Sequence, residues 1–303
     1  MFNRVGDMRM DWFYWDHSYN VTLIMNLAVV IGLFTSIRLF SGTIAHINAS
    51  DELFKKDNPA FGISMAGVTF ALTIMLTGVM HGTYMDSILG SAVTIGVYGL
   101  AGIILMALTR WIFDKITLPD IYLRDEISKG NVAVAIADAG NVLAAAIIIR
   151  SIMMWVTDNS LEGLLALVFG YIVSQVLLTG ATYIRRRLFC FFHTGTSIQK
   201  ELQDGNIALA LSFAGRKIGT ALAIGIATNI LSYELYDLKT LFIPWVGVCI
   251  AMILVLKVLS FTAEHVILFG IDTTKEVLQQ KNIAVGALRA SIYISMAMML
   301  AKL

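Results

Sequence analysis

Four ionisable residues stand inside stretches of sequence that are otherwise apolar: Asp138, Arg216, Lys217 and Arg289. Ionisable groups within membrane spans are costly and commonly mark ion pairs or functional sites. Two interpretations stay open. One is a structural ion-pair network that docks helices. The other is a polar pathway lined by Asp138, Asn141, Arg216 and Arg289. Among the four ionisable residues, three cations against one anion favour an anionic passenger or lipid headgroup.

The depth of these residues predicts which of them meet. Asp138 and Arg289 each lie seven residues after an asparagine that begins a predicted helix. At about 1.5 Å per residue, both lie about 10 Å along their helices, so we expect this pair of opposite charges to bond. Arg216 and Lys217 lie deeper. Adjacent helix positions differ by about 100°, so Lys217 points away from Arg216.

The stretches that hold these residues are long enough to cross a bilayer. Of 303 residues, 57% are hydrophobic and only 14% are charged, whereas soluble domains average about 25% charged. An apolar run of about 20 residues spans the hydrocarbon core as a helix. The sequence predicts an all-α integral membrane protein with about eight transmembrane helices, at 20–38, 59–80, 88–110, 132–155, 163–185, 207–230, 241–256 and 283–301.

Internal repetition is the most specific signal in the chain. Four segments share one pattern: NPAFGISMAG from Asn58, NVAVAIADAG from Asn131, NIALALSFAG from Asn206 and NIAVGALRAS from Asn282. The asparagines are spaced by 73, 75 and 76 residues, and each follows a glutamate by five or six residues: Glu52, Glu126, Glu201 and Glu276. The pattern divides the chain into an aromatic N-terminal segment and four repeats: 1–19, 20–83, 84–158, 159–233 and 234–303.

Each part of the pattern has a structural interpretation. Asparagine is a good N-cap, and a glutamate just before it lies near the positive end of the helix dipole. Small residues four apart allow close approach of two helices in a membrane; these are Gly62, Ala66, Ala135, Ala139, Ala210, Ala214, Gly286 and Ala290. Because every repeat adds two helices, the repeats run parallel. A pseudo-symmetric ring and a two-plus-two arrangement both fit.

The motif N-x-A-x-A-x-x-x-A-G on a two-helix unit resembles the bacterial inner-membrane family called domain of unknown function 350. Repeats two and three match it best, while Pro59 and Gly62 in the first and Gly286 and Ser291 in the fourth depart from it. The resemblance covers nearly the whole chain beyond residue 20. It implies a multi-pass protein of the bacterial plasma membrane and brings no reaction or ligand with it.

The distribution of basic residues predicts the orientation. Four connectors, one within each repeat, carry 14 lysines and arginines, and the opposite side carries five. Positive charge favours the cytoplasm, so both termini are expected outside. The triplet Arg185, Arg186 and Arg187 anchors this topology or binds anionic lipid. Connectors of about 20 residues fit a helix extension plus a short amphipathic segment, which could bind a cytoplasmic partner.

The sequence disfavours an enzyme, because it holds no nucleophile elbow, metal-ligand set or phosphate-binding loop. No catalytic residue, metal or cofactor is predicted, and a formal charge of +1 gives no basic face for nucleic acid. Two functions remain: transport or conduction of a small, preferably anionic solute, and a non-transporting membrane scaffold that recruits cytoplasmic or envelope-stress proteins. Membrane lipids are expected partners, and a homo-oligomer is a further expectation.

Overall fold

The protein is described by a computed structural model that covers residues 21, 24–25, 27–35, 49–82, 88–156, 161–192, 196–233 and 238–302. The predicted N-terminal segment 1–19 lies outside these residues. The first predicted span, 20–38, lies only partly within them, and its residues 27–35 are helical.

The described part of the chain is all helical, as the sequence predicts. Besides residues 27–35, its α-helices are α1 (Pro59–Gly82), α2 (Ile88–Ile112), α3 (Leu123–Ser128), α4 (Val132–Trp155), α5 (Leu161–Phe192), α6 (Ile198–Gln203), α7 (Ile207–Ile230), α8 (Leu238–Ile267), α9 (Thr273–Leu278) and α10 (Ile283–Leu300), and π-helical turns lie at Asp51–Lys55 and Phe113–Thr117. Seven of them, the longer ones, are apolar and long enough to cross a bilayer. The chain is therefore a multi-pass membrane protein.

The predicted boundaries are most accurate where a capping asparagine begins the helix. Helices α4 and α7 begin and end at the predicted residues, whereas α5 runs past Arg185 to Phe192 and α8 runs past Lys257 to Ile267. A basic residue marks where a helix reaches the membrane surface, and the helix can continue beyond that point. The short helices α6 and α9 follow these extensions, and α3 follows a π-helical turn, Phe113–Thr117, after α2. A short helix in each of these connectors agrees with the prediction, whereas its position on the membrane surface stays a prediction.

The four helices that carry the repeated motif, α1, α4, α7 and α10, pack side by side in chain order. Among the described residues, α1 and α10 share no extended contact, so the row is open. This arrangement is neither the ring nor the two-plus-two assembly considered from the sequence. Helix α2 packs against α1 and α4, α5 against α4 and α7, and α8 against α7 and α10, which forms a second layer over the row.

One contact repeats three times along the row, and glycine makes it possible. A Cβ added to Gly67 would lie 2.5 Å from Cβ of Ala139, and one added to Gly140 would lie 2.4 Å from Cβ of Ala214. The third case is Gly215, whose added Cβ would lie 2.5 Å from Cβ of Ala290. In each pair, the glycine that ends the motif of one repeat packs on the preceding alanine position of the next. The sequence predicts small-residue packing, but the pairing rule emerges only from the structure.

Candidate functional site

The repeat asparagines cap their helices as predicted. Oδ1 of Asn131 accepts from Val134 N–H at 3.2 Å, and Oδ1 of Asn206 accepts from Leu209 N–H at 3.0 Å. Asn58 and Asn282 cap α1 and α10 in the same way. In all four repeats the asparagine Nδ2 donates to the preceding glutamate, over 2.7–3.0 Å. We call the end of the row where these residues lie the asparagine end.

Each asparagine except the last also bonds to the following repeat. Nδ2 donates to a carbonyl oxygen there: Asn58 to Ile127 at 2.9 Å, Asn131 to Leu202 at 3.1 Å, and Asn206 to Val277 at 2.9 Å. The accepting residue always follows the repeat glutamate directly. The motif therefore docks neighbouring repeats as well as capping helices, a role that sequence reasoning missed.

Hydrogen bonds at this end set the charge of two repeat glutamates that precede the spans. The pKa of Glu52 is lowered by hydrogen bonds from Lys56 and then from Asn58. A hydrogen bond from Lys129, and a weaker contribution from the asparagine of the same repeat, lower the pKa of Glu126. Both carboxylates are therefore stabilised in their ionised form.

Asp138 is fully buried and belongs to a three-residue cluster. It forms an ion pair with Arg110, whose Nε donates to Oδ1 at 3.1 Å. Ser64 Oγ donates to Asp138 Oδ2 at 2.7 Å and accepts from Arg110 Nη2 at 2.7 Å. This cluster ties α4 to α1 and α2.

The predicted pairing of Asp138 with Arg289 is wrong. Asp138 pairs with Arg110, and Arg289 lies beside Glu264 of α8. The two residues do sit at equivalent positions of their repeats, but α7 lies between α4 and α10 in the open row. Equal depth therefore does not bring them together.

Lys217 forms a second cluster, between α4 and α7. It is 1% exposed, and its Nζ donates to Oδ1 of Asn141 at 2.8 Å. The same Nζ lies 5.2 Å from the centroid of the Phe113 ring, within cation–π range. As predicted, Lys217 and Arg216 point in different directions. Asn141 therefore belongs with Lys217, and the predicted grouping of Asn141 with Arg216 and Arg289 is wrong.

The third cluster surrounds a cavity of about 150 Å³ near the asparagine end, which we call the arginine pocket. Its cationic lining comes from Arg185 on α5, Arg216 on α7 and Arg289 on α10, and apolar side chains form most of the remaining wall. Of these three, only Arg216 and Arg289 were grouped from the sequence. Arg185 was assigned to the lipid-facing triplet instead.

One carboxylate, Glu264, forms ion pairs with two of these three cations. Glu264 Oε1 forms an ion pair with Nε of Arg289 at 2.5 Å, and Glu264 Oε2 lies 3.9 Å from Nη2 of Arg216. Arg185 interacts with the Tyr293 phenol, yet its Nη1 is buried and has no hydrogen-bond partner among the described residues. The three arginines thus carry more positive charge than Glu264 balances.

The rest of the arginine triplet is engaged elsewhere. Arg186 Nη1 donates to the carbonyl oxygen of Thr117, beside the turn after α2. Arg187 is exposed, and its Nε donates to the hydroxyl of Tyr183 at 2.9 Å. Lipid binding by this triplet stays a prediction.

Three partners of the charged residues escaped sequence reasoning: Ser64, Arg110 and Glu264. Arg110 ends the predicted span 88–110 and counts among the 14 basic residues of the connectors, whereas the structure places it within the last turn of α2. Glu264 is the only acidic residue within α8, which was the available signal for it.

The asparagine caps and the bonds to the next repeat recur along the chain. One family model matches the chain three times. It is described as Domain of Unknown Function (DUF350), and it matches residues 14–153, 87–228 and 159–303. The chain belongs to this family. Its three matches overlap and begin about one repeat apart, which agrees with the internal repetition. No curated protein and no solved structure matches the chain.

Proposed function

We propose that this membrane protein of the DUF350 family binds a small anion in the arginine pocket and carries or conducts it across the bilayer. The observation that supports the proposal is the meeting of Arg185, Arg216 and Arg289 around one cavity, with Glu264 as the one carboxylate among the described residues that pairs with any of them. The cavity volume of about 150 Å³ exceeds the roughly 30 Å³ that one water occupies in the liquid. A small oxyanion or halide fits such a space.

Electrostatics favours an anionic occupant. Cations held within a membrane protein are costly unless a counter-charge or hydrogen-bond acceptor faces them. Glu264 compensates one guanidinium closely and a second weakly. An anion in the pocket would supply the remaining charge and accept from the unpartnered Nη1 of Arg185.

The proposal includes a sidedness. The connectors at the asparagine end carry most of the lysines and arginines, so this end faces the cytoplasm if the chain follows the positive-inside tendency. The arginine pocket would then open toward the cytoplasmic half of a bacterial plasma membrane. No catalytic step is part of the proposal.

A scaffold without transport is the second candidate, and the packing of the row favours it. The glycine–alanine contacts at Gly67, Gly140 and Gly215 leave no space between neighbouring motif helices. The polar pathway predicted through Asp138, Asn141, Arg216 and Arg289 is also divided, since only Arg216 and Arg289 line the pocket. In this alternative the connectors would bind cytoplasmic proteins.

Anion flux into proteoliposomes distinguishes the two functions. We expect protein-dependent flux of at least one of chloride, nitrate, sulfate or inorganic phosphate. Arg216→Gln should reduce it about tenfold, since a hydrogen bond to a charged group contributes about 1.5–3 kcal/mol. Arg187→Gln is the matched control, because Arg187 lies outside the pocket on the exposed face of α5. Folded wild-type protein that moves none of these anions would favour the scaffold.

A further inference from the structure

The buried face of α5 changes from apolar to polar as the helix approaches the arginine pocket. Nearer its start this face carries Ala166, Leu167 and Gly170, all buried. Further along, polar residues recur at helical spacing on one side of the helix: Tyr171, Ser174, Gln175, Thr179, Thr182 and Arg185. Ser174 is 0% exposed and Gln175 is 5% exposed.

Four polar atoms on this face are buried and have no hydrogen-bond partner among the described residues. They are Ser174 Oγ, Gln175 Nε2, Thr179 Oγ1 and Arg185 Nη1. Hydroxyls in helices commonly satisfy themselves by bonding to the carbonyl four residues earlier, and Thr182 does so with Leu178 at 2.8 Å. Ser174 and Thr179 make no such bond, so within the described part of the chain both hydroxyls are free to take a partner such as water.

Lipid cannot supply these partners, since acyl chains neither donate nor accept hydrogen bonds. Water can, because buried waters typically bond to polar groups that the protein leaves unsatisfied. Asn141 adds a polar group on a neighbouring helix. Its Nδ2 is buried without a partner, and it bonds through Oδ1 to Lys217. Those two residues lie on α4 and α7, the helices against which α5 packs.

The length of the polar face is substantial on the scale of a bilayer. From Ser174 to Arg185 the helix rises about 16 Å, which is about half of a hydrocarbon core of about 30 Å. At the end of this face away from the arginine pocket, beyond Ser174, lies an aromatic cluster. The ring centroids of Phe169 and Phe242 are 4.6 Å apart, and Trp155 stacks on Trp245 with ring centroids 5.7 Å apart.

We propose that the face of α5 from Arg185 to Ser174 lines a hydrated vestibule, which leads from the arginine pocket toward the aromatic cluster. Water and the anion would share this space, so the inference rests on the proposed transport function. To that function the vestibule adds the route of the anion, the length of the route, and a barrier at the aromatic cluster. Helix α5, rather than the axis between the motif helices, would carry the passage.

Cysteine accessibility tests the vestibule. In a background with Cys190→Ser and Cys249→Ala, single cysteines replace Ser174, Gln175 or Thr179, and a charged methanethiosulfonate is present on both sides of proteoliposome membranes. A cysteine thiolate, which forms where water is present, attacks the sulfenyl sulfur of the reagent and displaces methanesulfinate to form a mixed disulfide. We expect labelling at these positions roughly tenfold or more faster than at the controls below.

Two positions on the same helix serve as matched controls. Leu167 is 0% exposed in the apolar part of the buried face, before Ser174, and Val176 is 66% exposed on the outward face of the helix. Cysteines at both positions should react slowly. Labelling of Ser174→Cys, Gln175→Cys and Thr179→Cys at the slow rate of Leu167→Cys would overturn the vestibule.

A second measurement, of melting temperature, tests the vestibule even if the cysteine variants do not fold. Thr179→Val removes the hydroxyl with little change of shape. In a dry core the loss of an unpartnered hydroxyl raises the melting temperature, whereas in a hydrated vestibule no rise is expected. A clear rise would count against the proposal.

The outcomes separate this inference from the function on which it rests. Anion flux without labelling at Ser174→Cys would keep transport and remove the vestibule. Labelling without flux of any anion would keep a hydrated face and remove transport.

Discussion

The close contact between α4 and α7 allows a quantitative prediction at Gly140. Replacement by alanine would put a Cβ 2.4 Å from Cβ and 2.7 Å from Cα of Ala214. Carbon atoms pack favourably at about 3.5–4.0 Å, so the two helices would have to separate by about 1 Å or more. Overpacking of this kind costs about 1–3 kcal/mol. The clash involves the backbone of Ala214, which has no rotamer to change, so we expect the upper part of that range.

Gly180 on α5 offers a matched control. It is also a helical glycine, but no atom lies within 4 Å of the position that its Cβ would take. Gly180→Ala should therefore be neutral or gain up to about 1 kcal/mol from helix propensity.

Thermal unfolding in detergent, followed by tryptophan fluorescence, compares the two variants. About 2–3 kcal/mol lowers the melting temperature of a chain of this size by roughly 5 °C. We expect that decrease for Gly140→Ala and none for Gly180→Ala. Equal melting temperatures for the two variants would refute the packing of the row as described.

Three further predictions concern the buried charges and the repeat motif, each checked by melting temperature. Asp138→Asn leaves Arg110 without its carboxylate and should cost about 3–5 kcal/mol, a loss that Arg110→Gln in the same chain should partly restore. Asn206→Ala should cost about 2 kcal/mol, since it removes both a cap and a bond to the next repeat. Asn282→Ala, which removes no bond to a following repeat, should cost about half of that; equal losses would contradict the docking role. Hydrogen bonds from a lysine and then an asparagine hold the pKa of Glu126 below its ordinary value of 4.5. Its stabilisation is therefore present above that pH and is lost as the pH falls through the lowered pKa, so Glu126→Gln should show a weaker acid-dependent decrease than the wild type.

The sequence was most informative where local chemistry determines structure. The start of α7 at Ile207 follows from the capping of its first turn by Asn206. The length of α7 follows from its apolar run. The start and the length of a helix depend on residues close together in the chain, so both can be predicted from a single sequence. The end of α5 beyond Arg185 was less accessible, because a basic residue marks the membrane surface without ending the helix.

Contacts between repeats were the least predictable part. Asp138 and Arg289 have equivalent positions, but equivalence fixes only depth and not which helices are neighbours. The open row makes Arg110 the partner of Asp138 and brings Arg185 into the pocket. The partner of Asp138 and the position of Arg185 both depend on which helices are neighbours. The repeat pattern is compatible with several such arrangements and does not choose between them.

Binding of an anion to the purified protein tests the central claim most directly. Titration of inorganic phosphate, sulfate, nitrate and chloride, followed by calorimetry, should give saturable binding of at least one of them, with one anion per chain. Arg216→Gln should weaken that binding about tenfold, equivalent to about 1.4 kcal/mol, and Arg187→Gln should leave it unchanged. The absence of saturable binding of all four anions to folded wild-type protein would contradict the arginine pocket as an anion site.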